Sequence, residues 1–284
     1  MQPLTIHRYG DPGAAPLVLV HGLTDAGTAW PSLIRHWGDR WDVHAPDLRG
    51  HGLSPRFTED ELAVAPDVML ADVVALLDSM PVPAVLVGHS LGGLLALRAA
   101  LVRPGLVRAL AGEDPAKPAG NTPDAAFVAS QEAFLDSMTD PAEHVERMLT
   151  ETSWSRDEVE AWAACKPLVD REYVRRGLFL GDPAWEELFN RLTVPTLLVV
   201  PPTSDMAPRP ADLHNDLVTT VVVPDSGHCV RRDQPARYHE AVDDFLAQAW
   251  ARQGHSGDLK RAEPVGSELL DRAGERGREP THRA

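Results

Sequence analysis

Cysteine is almost missing from this chain. Its 284 residues hold two, Cys165 and Cys229. Two thiols cannot build a disulfide framework, and such scarcity fits a reducing compartment. Long apolar runs are missing too. A membrane-crossing helix needs about 20 apolar residues in a row, and the nearest approach, over 91–102, is broken by Arg98. Residues 1–8 lack a basic start followed by an apolar run, so no signal peptide is expected and the cytoplasm is the expected location. Positive charge is in short supply, with 27 Lys and Arg against 42 Asp and Glu and a net charge of −15. That balance repels nucleic acid and anionic lipid, so neither a nucleic acid nor a membrane is an expected partner. Certain motifs are absent as well. No Gly-x-x-x-x-Gly-Lys-Ser/Thr phosphate loop occurs. His-Glu-x-x-His and Cys-x-x-Cys are also lacking, so neither a metal nor another cofactor is expected.

What is present points to a globular chain rich in turns. Hydrophobic residues make up 43% of the chain, an ordinary globular share. The 25 prolines and 21 glycines imply frequent turns rather than a helical bundle. Short apolar runs stand at 17–20, 43–45, 84–87, 107–111, 196–200 and 219–223. Without polar alternation, such runs suit strands buried on both faces. Apolar residues at offsets of three and four predict helices over 66–80, 90–103 and 236–253. Alternating strands and helices predict an α/β fold with a doubly wound, mostly parallel sheet flanked by helices and joined by right-handed crossovers.

Residues 116–192 interrupt the alternation. No convincing strand lies there, but helical patterns cover 125–138, 142–149 and 156–165. Three of the seven tryptophans, Trp154, Trp162 and Trp185, fall in this stretch. The simplest expectation is an inserted helical cap, with ordinary crossover helices as the alternative. The sheet-bearing core would then comprise 1–115 and 193–251. Over 252–284, Gly, Glu, Arg, Ser and Pro dominate, and a disordered tail is expected.

The strongest local signal is Gly88-His89-Ser90-Leu91-Gly92-Gly93, between a buried-strand run and an amphipathic helix. A serine at a sharp strand-to-helix turn presents its hydroxyl clear of the backbone, and glycines two residues to either side let the turn pass its neighbours. The helix N-terminus favours developing negative charge. A serine hydroxyl needs a base to take its proton. His228, in Asp225-Ser226-Gly227-His228, follows the last strand run, where a parallel sheet can bring it to Ser90. An oxyanion hole needs two aligned N–H donors. Leu91, just after the serine, and Leu23, in His21-Gly22-Leu23-Thr24-Asp25, are the candidates.

Together with Asp47-Leu48-Arg49-Gly50-His51-Gly52-Leu53-Ser54, these segments resemble the α/β-hydrolase superfamily in the expected order over about residues 3–250. The resemblance implies that Ser90 is the nucleophile, His228 the general base, and Leu23 and Leu91 the oxyanion donors. It implies that 47–54 is a loop bracing the site. Serine, not aspartate, at position 90 disfavours an alkyl-enzyme mechanism.

Two acids compete to orient the histidine. Asp205 follows the 196–200 run, the commonest place for the family's acid, but Pro201-Pro202-Thr203-Ser204-Asp205 departs from the usual context. Asp114 follows the strand after the nucleophile, a placement found in some relatives, and stands slightly ahead. The implied reaction is hydrolysis of a carboxylic ester or lactone through an acyl-enzyme. Other acyl chemistry on the same triad, as in an amidase, C–C hydrolase, perhydrolase or acyltransferase, is the alternative. A non-catalytic ligand-binding protein is a third reading, and a damaged triad would be expected of it. The substrate is expected to be a small to medium neutral, partly apolar molecule, with Trp154, Trp162 and Met138 as candidate pocket walls alongside Phe127, Phe134 and Trp185. Each could instead pack the cap onto the core. Residues 116–192 carry eight basic and fifteen acidic residues, a net of −7, which favours neutral or cationic substrates over anionic ones.

Overall fold

The computed structural model describes residues 2–118, 120–138, 140–181 and 185–253. Seven strands form one sheet: β1 (Ile6–Gly10), β2 (Pro16–Val20), β3 (Asp42–Pro46), β4 (Ala84–His89), β5 (Val107–Glu113), β6 (Thr196–Val200) and β7 (Val218–Val222). Their spatial order is β1-β3-β2-β4-β5-β6-β7. Only β1 runs antiparallel to its neighbour, pairing Ile6 with Pro46 and Gly10 with Asp42. The others are parallel.

The helices are α1 (Pro31–Trp37), α2 (Glu59–Leu62), α3 (Ala65–Asp78), α4 (Leu91–Val102), α5 (Ala125–Ser137), α6 (Pro141–Glu151), α7 (Arg156–Cys165), α8 (Trp185–Asn190), α9 (Val230–Asp233) and α10 (Pro235–Gln253). Alternating residues of the central strands feed two cores, as a period of two requires. Val18, Val20, Ala84 and Leu86 pack with residues of α3, α4 and α8. Leu17, Leu19, Val85 and Val87 pack with Leu33 and Trp37 of α1 and Tyr238, Val242 and Leu246 of α10. Both faces of the sheet are covered, so β2, β4 and β6 show no exposed residue.

Two strands depart from the sequence expectation. β1 was not expected, because Ile-His-Arg-Tyr-Gly lacks an apolar run. It is an edge strand, so polar side chains can stay. The 219–223 run was expected to be buried on both faces. Instead β7 is the opposite edge, pairs only with β6, and leaves Val222 about half exposed. Between β5 and β6 the described residues hold helices and one isolated bridge, Gly120 with Gly181. The tail expected from 252 lies, past Gln253, outside the described residues.

Candidate active site

The loops after β2, β4, β5, β6 and β7 all leave the carboxyl edge of the sheet, where open α/β sheets place their sites. Ser90 follows β4 and has φ 51°, a left-handed conformation that costs a non-glycine residue energy. Its surroundings hold it there. Ser90 N donates to Glu113 O at 3.0 Å, while Ser90 O accepts from Ala116 N at 2.9 Å and Leu94 N at 3.1 Å. Two glycines make the turn possible by close approach. A Cβ at Gly92 would lie 1.9 Å from Val20 O, and one at Gly22 would lie 2.8 Å from His89 Nδ1 and 3.4 Å from Ser90 Cβ. The loop after β2 therefore passes directly beside the serine. Among the described residues, neither the Leu23 nor the Leu91 amide donates a hydrogen bond within the fold.

His228 follows β7, and its Nδ1 lies 2.7 Å from Asp114 Oδ2. Asp114 caps the end of β5 with φ 37°, its amide donating to Val199 O at 3.0 Å. It is buried, while the His228 side chain is 42% exposed and open to solvent. His89 Nε2 donates to His228 O at 3.1 Å and fixes the histidine's backbone. Among the described residues, Ser90 Oγ and the His228 ring form no hydrogen bond, a contact that in unliganded sites often tightens only with substrate. Asp205 is exposed and forms no hydrogen bond or ion pair with His228. The two competing acids thus separate: the structure brings Asp114, and not Asp205, to the histidine. The loop after β6 sends Ser204 instead, whose Oγ lies 2.5 Å from Asp114 Oδ1.

Behind these groups lies a buried ionic cluster that sequence reasoning missed. Lys166 Nζ is 2.8 Å from Asp25 Oδ1, and Arg232 Nη2 is 3.0 Å from Asp25 Oδ2. Arg232 Nε also donates to Glu158 Oε2 at 3.0 Å. Arg231 pairs with Glu113 at 2.7 Å. All six side chains are buried and their charges balance. Burial by itself would raise the Asp25 carboxyl, but Arg232, Lys166 and Arg231 hold it well below the ordinary range. Glu158 and Lys166 come from the helical insertion, Asp25 from the loop after β2, and the arginines from the turn after His228. The cluster therefore ties the loop after β2, the helical insertion, β5 and the turn after His228 to one another. The one available signal was charge in apolar company: Lys166 beside Cys165 and Pro167, and Arg231-Arg232 just after Gly227-His228.

The loop over 47–54 is likewise tightly bonded. Asp47 accepts from Gly27 N at 2.7 Å and Leu53 N at 2.8 Å. Ser54 Oγ donates to Asp47 O, and His51 Nε2 reaches Leu23 O at 2.5 Å. Burial keeps the His51 imidazole below its usual range.

The candidate wall residues sit mostly in packing roles. Met138 and Trp162 share a small core with Ala163, flanked by Phe134 and Trp154. Trp154 Nε1 donates to Asp233 Oδ1 at 2.6 Å, and Asp233 Oδ2 accepts from Gly227 N beside His228. Trp185 belongs to the main core, and Phe127 is exposed. Burial pushes the Cys165 and Cys229 thiols up to about 11, which leaves little thiolate to act as a nucleophile.

Comparison with known proteins places the fold in a family. The Alpha/beta hydrolase family matches residues 17–241. The chain belongs to that family. It is 40% identical to the lipase LipV of Mycobacterium tuberculosis over 114 residues, 40% of the chain and 42% of the lipase. The first relatives it matches are thus covered over less than half of their length. A longer match, 30% identical over 273 residues, covers 88% of the chain and 98% of a Variovorax paradoxus protein named "Putative carbamate hydrolase RutD". The enol-lactonase structure from Burkholderia xenovorans superposes with a TM-score of 0.67 at 17% identity, covering 86% of the chain and 96% of that structure. At that identity the likeness concerns the fold alone. No helix among the described residues is long and apolar enough to cross a membrane.

Proposed function

We propose that the chain is a serine hydrolase cleaving carboxylic esters or lactones of small to medium, neutral, partly apolar molecules through an acyl-enzyme. The observation that carries this reading is the 2.7 Å contact of His228 Nδ1 with Asp114 on the sheet edge that also holds the strained Ser90. In the proposed reaction His228 Nε2 takes the Ser90 proton as Oγ attacks the carbonyl carbon. The Leu23 and Leu91 amides stabilise the tetrahedral oxyanion. Asp114 holds the imidazole in the tautomer with Nδ1–H and stabilises the imidazolium. The imidazolium gives its proton to the leaving alcohol, and water then repeats the sequence on the acyl-enzyme.

The helices between β5 and β6 are read as a cap over this edge, and their net of −7 favours neutral substrates over polyanionic ones. A second reading, cleavage of a C–N acyl bond, draws support from a relative matched over 98% of its length and named a putative carbamate hydrolase. The same triad serves both, because attack on the carbonyl is shared. Turnover of para-nitrophenyl esters, lactones and amides by the wild type and by Ser90→Ala tests the proposal. The wild type should hydrolyse esters or lactones, and Ser90→Ala should not. Full activity in Ser90→Ala would overturn it. Amide turnover exceeding ester turnover would select the second reading.

A further inference from the structure

We infer that Ser204 is a positioning residue for the acid of the triad. The inference rests on Asp114 filling that role. Ser204 lies in the loop after β6 and directly precedes Asp205, the acid that the structure leaves exposed. Its Oγ accepts from Ala207 N at 3.0 Å and from Met206 N at 3.3 Å. A serine hydroxyl has two acceptor sites and one hydrogen. With both acceptor sites occupied by amides, that hydrogen is left for Asp114 Oδ1, 2.5 Å away. The direction of the bond follows from this count.

The consequence for the carboxylate is geometric. Ser204 holds Oδ1, and His228 Nδ1 faces Oδ2 at 2.7 Å. Asp114 therefore cannot rotate to present its other oxygen without losing the Ser204 bond. Its backbone is held in place too, by the amide bond to Val199 O and the positive φ. The loop carrying Ser204 is secured in turn, since Trp185 Nε1 of α8 donates to Met206 O at 2.5 Å. The loop after β6 thus serves the site through a hydroxyl that aims a carboxylate, while the carboxylate itself comes from β5. A hydrogen bond to a charged group that acts in the reaction, and not only in the fold, should appear in the rate of serine attack and not in binding.

The test uses the full chain, a fluorophosphonate probe of serine nucleophilicity and para-nitrophenyl butyrate. Ser204→Ala should lower both the maximal rate of Ser90 phosphonylation and kcat by roughly tenfold. The probe's half-saturating concentration and KM should hold. Ser204→Thr, which keeps the hydroxyl, should restore most of the rate. In an Asp114→Asn background the further change Ser204→Ala should have little effect, because the charged partner is gone. The inference is overturned if Asp114→Asn is slow while Ser204→Ala matches the wild type, if Ser204→Thr does no better than Ser204→Ala, or if the two losses multiply in the double variant. Should Asp114→Asn label as fast as the wild type, the triad assignment itself fails, which is a separable result. Rates normalised to the folded fraction, read by circular dichroism, keep the comparison valid if Ser204→Ala loosens the loop.

Discussion

Lys166, at the end of α7, places its ammonium 2.8 Å from the carboxylate of Asp25, two residues past Leu23. Both side chains are almost fully buried. The pair stitches the helical insertion to the loop that runs beside Ser90. Breaking a buried ion pair by removing one partner typically costs about 3–5 kcal/mol, because a charge is left uncompensated. Asp25→Ala strands Lys166 and removes a partner of Arg232 as well. Lys166→Met leaves Asp25 with both arginines. Urea unfolding should therefore show Asp25→Ala as the more damaging change. Equal midpoints for the two variants would contradict this account of the cluster.

The choice between acids gives a sharp kinetic contrast. Asp114→Asn should cut kcat by roughly 10⁴, the scale seen when a triad acid loses its charge. Asp205→Asn should leave most activity, since Asp205 is exposed and makes no contact with His228. Turnover of one para-nitrophenyl ester by the two purified variants decides it. A large loss in Asp205→Asn with little in Asp114→Asn would reverse the assignment.

Acid should destabilise this fold well above the carboxylate range. Burial, aided by neighbouring His51, lowers His21 to about 3. Burial also lowers His51, and burial with His228 nearby lowers His89 well below the usual value. These imidazoles bind protons less readily when folded than when unfolded, where they titrate near pH 6.5. The unfolded chain thus binds more protons below that pH. Stability is fully present above about pH 6.5 and falls as the pH drops toward 3. Each group contributes up to about 1.4 kcal/mol per pH unit. Urea midpoints measured at pH 7, 5.5 and 4 should decline throughout. A flat profile between pH 6.5 and 4 would refute the prediction.

Gly92→Ala should cost about 3 kcal/mol or more, at or beyond the upper end for overpacking. The added carbon would stand 1.9 Å from a carbonyl oxygen of β2, which is backbone and has little room to yield. Gly105→Ala is the control, because nothing lies within 4 Å of its added carbon. Thermal melts of both variants check the contrast. Similar melting temperatures would show that the elbow is less tightly packed than described.

The central sheet was legible because burial on both faces writes itself as uninterrupted apolar runs. β2, β4, β5 and β6 stand where those runs predicted. The edges were harder to read. β1 carries polar residues, His7 and Arg8, on both faces and so resembles a loop, whereas β7 carries a β-prone run despite its exposure. Ser90 and His228 were legible through local glycine spacing and strand-end position. Ser204 was not, since nothing near it in sequence distinguishes it from other serines, and Lys166 offered only the faint signal of a charge beside Cys165 and Pro167.

The chain by itself determined the doubly wound fold, the strained serine at the end of β4 and the histidine after the last strand. Each depends on local geometry: a period of two, a turn that admits no Cβ, a position at a strand end. Only the tertiary structure decided which carboxylate meets that histidine. Asp114 and Asp205 both follow parallel strands on the same edge, and the unusual 201–205 context put Asp114 only slightly ahead. The positive φ at Asp114 and the Ser204 hydroxyl on its second oxygen hold one carboxylate against His228. The loop that bears the other leaves it in water, where its charge is best solvated.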